Sequence, residues 1–396
     1  MISIITPLYY ILIFYGFKYS GFGKVHDNFL SLKILNGLKG LASLSILIGH
    51  ISLDHPKFRI KKLYLTPPGL GRVYPAFFFF CSGYGLMVSF KKKNNYLNNF
   101  IRRRFLSILI PYSFFKVICC IQLLSLFYNN KMPFFNNVNF NKIFYFIFLY
   151  HRYWFVLELM MFYLLFYIFF KCFKNRHLIR FLFILFSWIL ILVPTYYYKN
   201  KKYSNNIFVK LEYHYSIWSF VYGLLIGDYE ENIIKFIKKF YYLFLILASL
   251  FPYYFHCFIK YIPDKPYITG KYYNFWFNCT KHNIFSILMY SCILILTMKI
   301  QINNIILDYL GKFTLENYLY HSLIINIYRS KQLSFKDENL DYKYFITIFV
   351  SLYYSEKMHY INTILIGLIN KEDNKINENK ENLIDNLKNN EKPRIS

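Results

Sequence analysis

The sequence predicts an all-α integral membrane protein, a bundle of about ten transmembrane helices. Three observations carry that expectation. Hydrophobic residues make up 56% of the 396 positions, and Phe and Tyr alone supply 45 and 41 side chains. That is more apolar surface than one soluble core hides. Lys and Arg outnumber Asp and Glu by 47 to 20, a formal charge of +27, yet the cations cluster in short stretches between apolar runs. Segregation of this kind belongs to a multi-pass chain with basic loops. Several runs also reach ~20 residues, the length of a helical crossing, without the alternation of barrel strands.

The same facts exclude other classes. Disorder and a cytosolic globule do not fit the apolar content. A nucleic-acid binder would line a soluble fold with its cations instead of punctuating Phe, Ile and Leu. The seven cysteines are odd in number and lack C-x-x-C spacing, so neither a disulfide scaffold nor a structural zinc site is expected. They read as small hydrophobes.

In chain order the expected crossings are 35–53, 70–90, 105–128, 150–170, 178–198, 212–228, 240–259, 284–300, 306–328 and 344–369. The weakest are 212–228, short and aromatic, and 344–369, interrupted by Glu356, Lys357 and His359. Residues 2–17 form one more apolar stretch, either an extra helix, an uncleaved anchor or an interfacial segment. It carries no obvious small-residue cleavage site, so its retention is expected. Three regions follow: 1–33 as an N-terminal apolar and juxtamembrane segment, 34–370 as the membrane domain, and 371–396 as a charged, disordered cytoplasmic tail. No internal repeat is visible, which weighs against an inverted-repeat transporter.

Orientation follows from the basic loops. The densest cluster, Lys91 to Lys93 with Arg102 to Arg104, marks its side as cytoplasmic. Lys171 to Arg180 and Lys235 to Lys239 fall on that side too. The opposite side is also basic, at Lys57 to Lys62 and Lys199 to Lys202, so the contrast is modest. The sequon Asn278-Cys279-Thr280 is expected in a loop on that opposite side.

Ionisable groups inside crossings are costly and mark functional positions. Lys39 and His50 are eleven residues apart, which on a helix returns to within ~20° of one face after a rise of ~16 Å. The plainer account is a snorkelling lysine and a boundary histidine. Ser82 and Gly83 permit tight packing or a helix break. Arg102, Arg103 and Arg104 form a cationic patch whose guanidinium forks suit phosphate, or which anchors lipid head groups. Glu158 follows Trp154 into a long apolar run and needs a partner or a proton. Glu316, Tyr320 and His321 lie within two turns of one another.

Taken in order, these stretches resemble the acyltransferase-3 family of multi-pass membrane acyltransferases. Leu35-Asn36-Gly37-Leu38-Lys39-Gly40-Leu41-Ala42, with ten residues between Lys39 and His50, is similar to the family's opening motif. Phe79-Phe80-Cys81-Ser82-Gly83-Tyr84 resembles its next helix, and Arg104 ahead of Pro111-Tyr112 its basic run. Trp154, Glu158, Phe162 and Tyr163 match a third stretch; Leu310-Gly311, Thr314, Tyr318-Leu319 and His321 match a late one. Asn36 and Lys39 stand where the family has Asp and Arg, and Ser107 where an Arg is common. Lysine keeps the charge and loses the bidentate fork.

The resemblance implies transfer of an acyl group, acetyl by default, from acyl-CoA to a hydroxyl of a sugar or other cell-surface acceptor. It implies His50, Glu158 and His321 as catalytic residues. Lys39, Ser82, Arg102, Arg103 and Arg104 would hold the acyl-CoA donor, with no metal. The expected partners are membrane lipid and a carbohydrate or glycolipid acceptor, not nucleic acid, in the plasma or inner membrane. Two alternatives stand beside this: a transporter or flippase using the His and Glu side chains as a proton relay, and a degenerate, non-catalytic family member.

Overall fold

The computed structural model describes residues 2–54, 73–128, 154–197, 216–261, 271–302, 304–329 and 345–369. A backbone in lipid must pair its own polar groups, and the apolar runs accordingly form helices. In chain order these are α1 (Ile2–Phe14), α2 (Leu32–Asp54), α3 (Val73–Lys92), α4 (Phe100–Tyr128), α5 (Trp154–Cys172) and α6 (Arg176–Tyr197). Then come α7 (Ile217–Asp228), α8 (Glu230–Lys239), α9 (Tyr241–Tyr261), α10 (Lys271–Thr297), α11 (Ile305–Leu310) and α12 (Thr314–Arg329). Helix α13 covers 345–369. Two residues, β1 (Lys18–Tyr19), pair antiparallel with β2 (Ile300–Gln301).

The all-α membrane bundle is therefore present. Of the ten expected crossings, five helices among the described residues are long and apolar enough to span: Leu32–Ile51, Val73–Lys92, Phe100–Ile121, Trp154–Cys172 and Trp276–Thr297. Two expected crossings change character. The run 306–328 breaks into α11 and α12 around Gly311, and the described part of 212–228 forms the 12 residues of α7. Twelve residues rise about 18 Å, short of a ~30 Å hydrocarbon core. The sequon is a correction. Asn278 to Thr280 lie inside α10, with Cys279 fully buried, instead of in a loop. Lys57 to Lys62, Lys199 to Lys202 and the segment 371–396 lie outside the described residues.

Among the described residues, helices α3 and α7 make the most extensive contact. Glycines allow it. A Cβ on Gly83 would sit 2.2 Å from the Phe220 carbonyl oxygen, and one on Gly223 would sit 2.3 Å from that of Phe80. Gly83 thus serves tight packing, and α3 runs through it unbroken. Around this crossing the aromatic run of α3 fills the core: Phe79 meets Phe155 at 4.7 Å between ring centroids, and Phe80 meets Tyr290 at 5.1 Å. Phe162 stacks on Phe220 at 4.5 Å, joining α5 to α7.

The outward faces are apolar too. On α13, Phe345, Phe349, Tyr353, Tyr360, Ile364 and Leu368 form an exposed stripe at helical spacing, while Ser351, Ser355 and Asn362 turn inward. Lipid, not water, suits such a face. The ionisable residues that interrupt this run are paired: Glu356 accepts from the Tyr309 hydroxyl at 2.9 Å, and His359 Nδ1 donates to Glu316 Oε1 at 3.0 Å.

One end of the bundle is knitted by cations. Lys91 donates to the carbonyls of Gly227 and Asp228, capping the C-terminus of α7, while Arg176 and Arg180 both pair with Asp228 at 2.9 and 2.7 Å. The start of α2 lies at this end as well, since Asp27 pairs with Lys238 at 2.7 Å. At its other margin α1 packs Tyr9 and Ile13 against Leu44, Ile48 and α11.

Candidate functional site

Helix α2 carries Lys39 and His50 away from the basic end. Eighteen residues separate Leu32 from His50, a rise of about 27 Å, so the imidazole stands near the far end of the helix. Glycines bring a neighbour close to its lower half. A Cβ on Gly40 would lie 2.1 Å from the Leu307 carbonyl oxygen, and one on Gly311 would lie 2.1 Å from that of Asn36. Asn304 caps α11 by accepting from the Leu307 amide at 2.8 Å and donates to the Leu12 carbonyl at 2.6 Å. The chain then turns at Gly311 and rises as α12 beside α2.

That arrangement brings two histidines together. The rings of His50 and His321 lie 5.0 Å apart between centroids, tilted by 36°. His50 is exposed at the edge of the bundle, and His321 is buried. His321 Nδ1 lies 2.8 Å from the Asn317 carbonyl oxygen, one turn back. A carbonyl only accepts, so Nδ1 carries the hydrogen and Nε2 is the basic nitrogen of the neutral ring.

Glu158 is not in hydrogen-bonded contact with this pair. It sits on α5, one turn past Phe155, and its Oε2 is buried without a hydrogen-bond partner among the described residues. Aromatic rings pack between α5 and the histidine pair. The ring of Phe155 lies 5.3 Å from that of Tyr318, which in turn lies 6.2 Å from the His321 ring. A buried carboxylate with an unpaired oxygen is costly, and a ligand or a proton is what relieves it.

The residues expected to hold a donor form a second assembly. The Arg104 guanidinium donates to the Tyr96 hydroxyl at 2.6 Å and lies 5.8 Å from the centre of the Tyr163 ring. Ser82 is within hydrogen-bond range of the Tyr163 hydroxyl. Arg104 therefore ties the Tyr96 hydroxyl to the Tyr163 ring, joining the α3–α4 turn and α4 to α5, with Ser82 of α3 beside Tyr163. Arg103 donates to the carbonyls of Tyr96 and Asn98 at 2.8 and 3.2 Å, closing the turn between α3 and α4. Arg102 is partly buried beside them. A guanidinium has five N–H donors, so these bonds leave Arg103 and Arg104 with capacity for an anion. Lys39 lies within electrostatic reach of Cys81, next to Ser82 on α3.

A family model for the acyltransferase domain matches residues 32–355. The chain belongs to the acyltransferase-3 family. No match was found among curated proteins or among solved structures. This acyltransferase is a multi-pass integral membrane enzyme by its family and its apolar helices. The matched segment contains every candidate residue named above, and it opens at the start of α2.

Sequence reasoning missed three polar side chains inside the acyltransferase. Lys116 is buried in α4, over the Tyr112 ring at 5.2 Å, and an ionisable residue in an apolar run was the available signal. Asn317 and Ser43 bond to each other across α12 and α2. Neither is ionisable, and only their contact distinguishes them. Glu316, by contrast, faces away from the histidine pair toward α13, where His359 and Asn362 hold it.

Proposed function

We propose that this acyltransferase moves an acyl group, acetyl by the family's default, from acyl-CoA to a hydroxyl of a sugar or other cell-surface acceptor. The observation that carries the reading is the His50–His321 pair, from distant stretches of a chain in this family.

In the reaction His50 removes the proton of the acceptor hydroxyl as its oxygen attacks the thioester carbonyl. The carbon–oxygen bond forms, the carbon–sulfur bond breaks, and the thiolate leaves with the proton that His50 took up. Imidazole suits both transfers near neutral pH. His321 can either donate to the developing oxyanion or bind the acceptor. The Nδ1–H···O=C bond to Asn317 favours the second role, because the neutral ring then has only an acceptor nitrogen to offer. When ionised, Glu158 stabilises the charge that His50 acquires, through field instead of contact. The donor's phosphates rest on Arg102, Arg103 and Arg104 at the basic end, and its arm runs past Lys39 and Ser82 toward His50.

The test is thiol release from acetyl-CoA by purified protein in detergent, with a cell-envelope glycan extract as acceptor and mass spectrometry for the acyl mass. A transporter using the same groups as a proton relay releases no thiol and labels no glycan. That result ends the proposal. The donor site makes its own prediction: Arg104→Ala raises KM for acetyl-CoA about tenfold, the scale of a charge-assisted bond, with kcat little changed. Unchanged KM in a folded variant removes Arg104 from the donor site.

A further inference from the structure

We propose that Asn317 is a positioning residue whose buried side chain ties α12 to Ser43 of α2 and so fixes the register in which His321 faces His50. The inference rests on the acyl-transfer reading for its catalytic consequence, and on geometry alone for the clamp.

Asn317 Nδ2 donates to the Ser43 hydroxyl at 2.7 Å and to the Ser43 carbonyl oxygen at 3.4 Å. Both residues are almost wholly inside, Asn317 at 3% exposure and Ser43 at 5%. The spacing matches the histidines. Ser43 precedes His50 by seven residues, two turns that return to within ~20° of the same face. Asn317 precedes His321 by four, within ~40° of the same face. One side of each helix therefore carries a polar tie below and an imidazole above.

The same residue acts on the imidazole directly. Its carbonyl accepts the His321 Nδ1 hydrogen, so the turn that sets the ring's tautomer also carries the cross-helix bond. An aliphatic residue would pack this interface without penalty. Asn317 instead leaves its own Oδ1 buried and without a hydrogen-bond partner among the described residues. An orphaned amide oxygen in an apolar interior is unfavourable. Position explains its presence better than stability does: dispersion contacts let two helices slide, whereas one hydrogen bond specifies a register.

The test is a double-mutant cycle on the full chain in detergent with Asn317→Ala, Ser43→Ala and the pair. Thiol release from acetyl-CoA, with the glycan extract as acceptor, gives kcat and KM. Each single variant is expected to lower kcat about tenfold and to leave KM for acetyl-CoA within about twofold, and the double variant to lose no more than either. A purely structural role would lower the melting temperature without that split. A second readout is independent of turnover: carbethoxylation of His321 by diethylpyrocarbonate, followed by mass spectrometry. Loosening the tie is expected to raise its rate about tenfold in both single variants. Unchanged kcat, losses that multiply, or an unaltered His321 rate in folded variants each overturn the clamp. If the wild type releases no thiol, the acyl-transfer reading falls and the modification rates alone decide the clamp.

Discussion

Replacing His50 with Ala is expected to lower acyl transfer about 10²–10⁴-fold, the usual contribution of a positioned general base. The chain should remain folded and inserted. His50 lies at the exposed end of α2, outside the buried clusters, so truncation opens no cavity in the core. Its partner His321 keeps the hydrogen bond to Asn317. Thiol release from acetyl-CoA, gel filtration in detergent and a melting curve measure the three quantities together. Full turnover in a monodisperse His50→Ala sample would remove the imidazole from the mechanism. Loss of turnover together with loss of fold would instead place His50 in the scaffold.

The second large effect lies away from the histidines. Gly83→Ala and Gly223→Ala are each expected to destabilise the bundle by at least ~3 kcal/mol, the upper range for overpacking. At each site the added carbon would meet a backbone carbonyl at 2.2 or 2.3 Å, and backbone inside two packed helices has no rotamer by which to yield. Gly85, two residues along α3, has no neighbouring atom within 4 Å of an added Cβ. Gly85→Ala should therefore be neutral or slightly stabilising, since alanine is the better helix former. Thermal unfolding followed by tryptophan fluorescence compares the three variants. Equal melting of Gly83→Ala and Gly85→Ala would show that α3 and α7 do not cross where the glycines place them.

Both effects depend on a feature the sequence displays only as composition. Glycines and histidines can be counted along the chain, but their partners are hundreds of residues away or on another helix. Gly83 reads as either tight packing or a break, and the position of Phe220 decides between them. The interrupted run 344–369 reads as a weak crossing until Glu356 and His359 find Tyr309 and Glu316. The sequon fails for a related reason: three residues match a local pattern, but α10 extends through them and buries Cys279.

The sequence alone determined the membrane bundle, because apolar run length and cation segregation follow from the solvent that surrounds each helix. It also determined the family, because the ordered stretches from Leu35 to His321 are covalent facts. The tertiary structure decided which polar groups meet. His50 and His321 share a contact, Phe155 and Tyr318 pack between the helix of Glu158 and that pair, and Glu316 turns away to α13. Helix periodicity fixes the face a residue occupies on its own helix. Which helix that face opposes is set by close packing of glycines and aromatic rings between distant segments, and no local pattern encodes it.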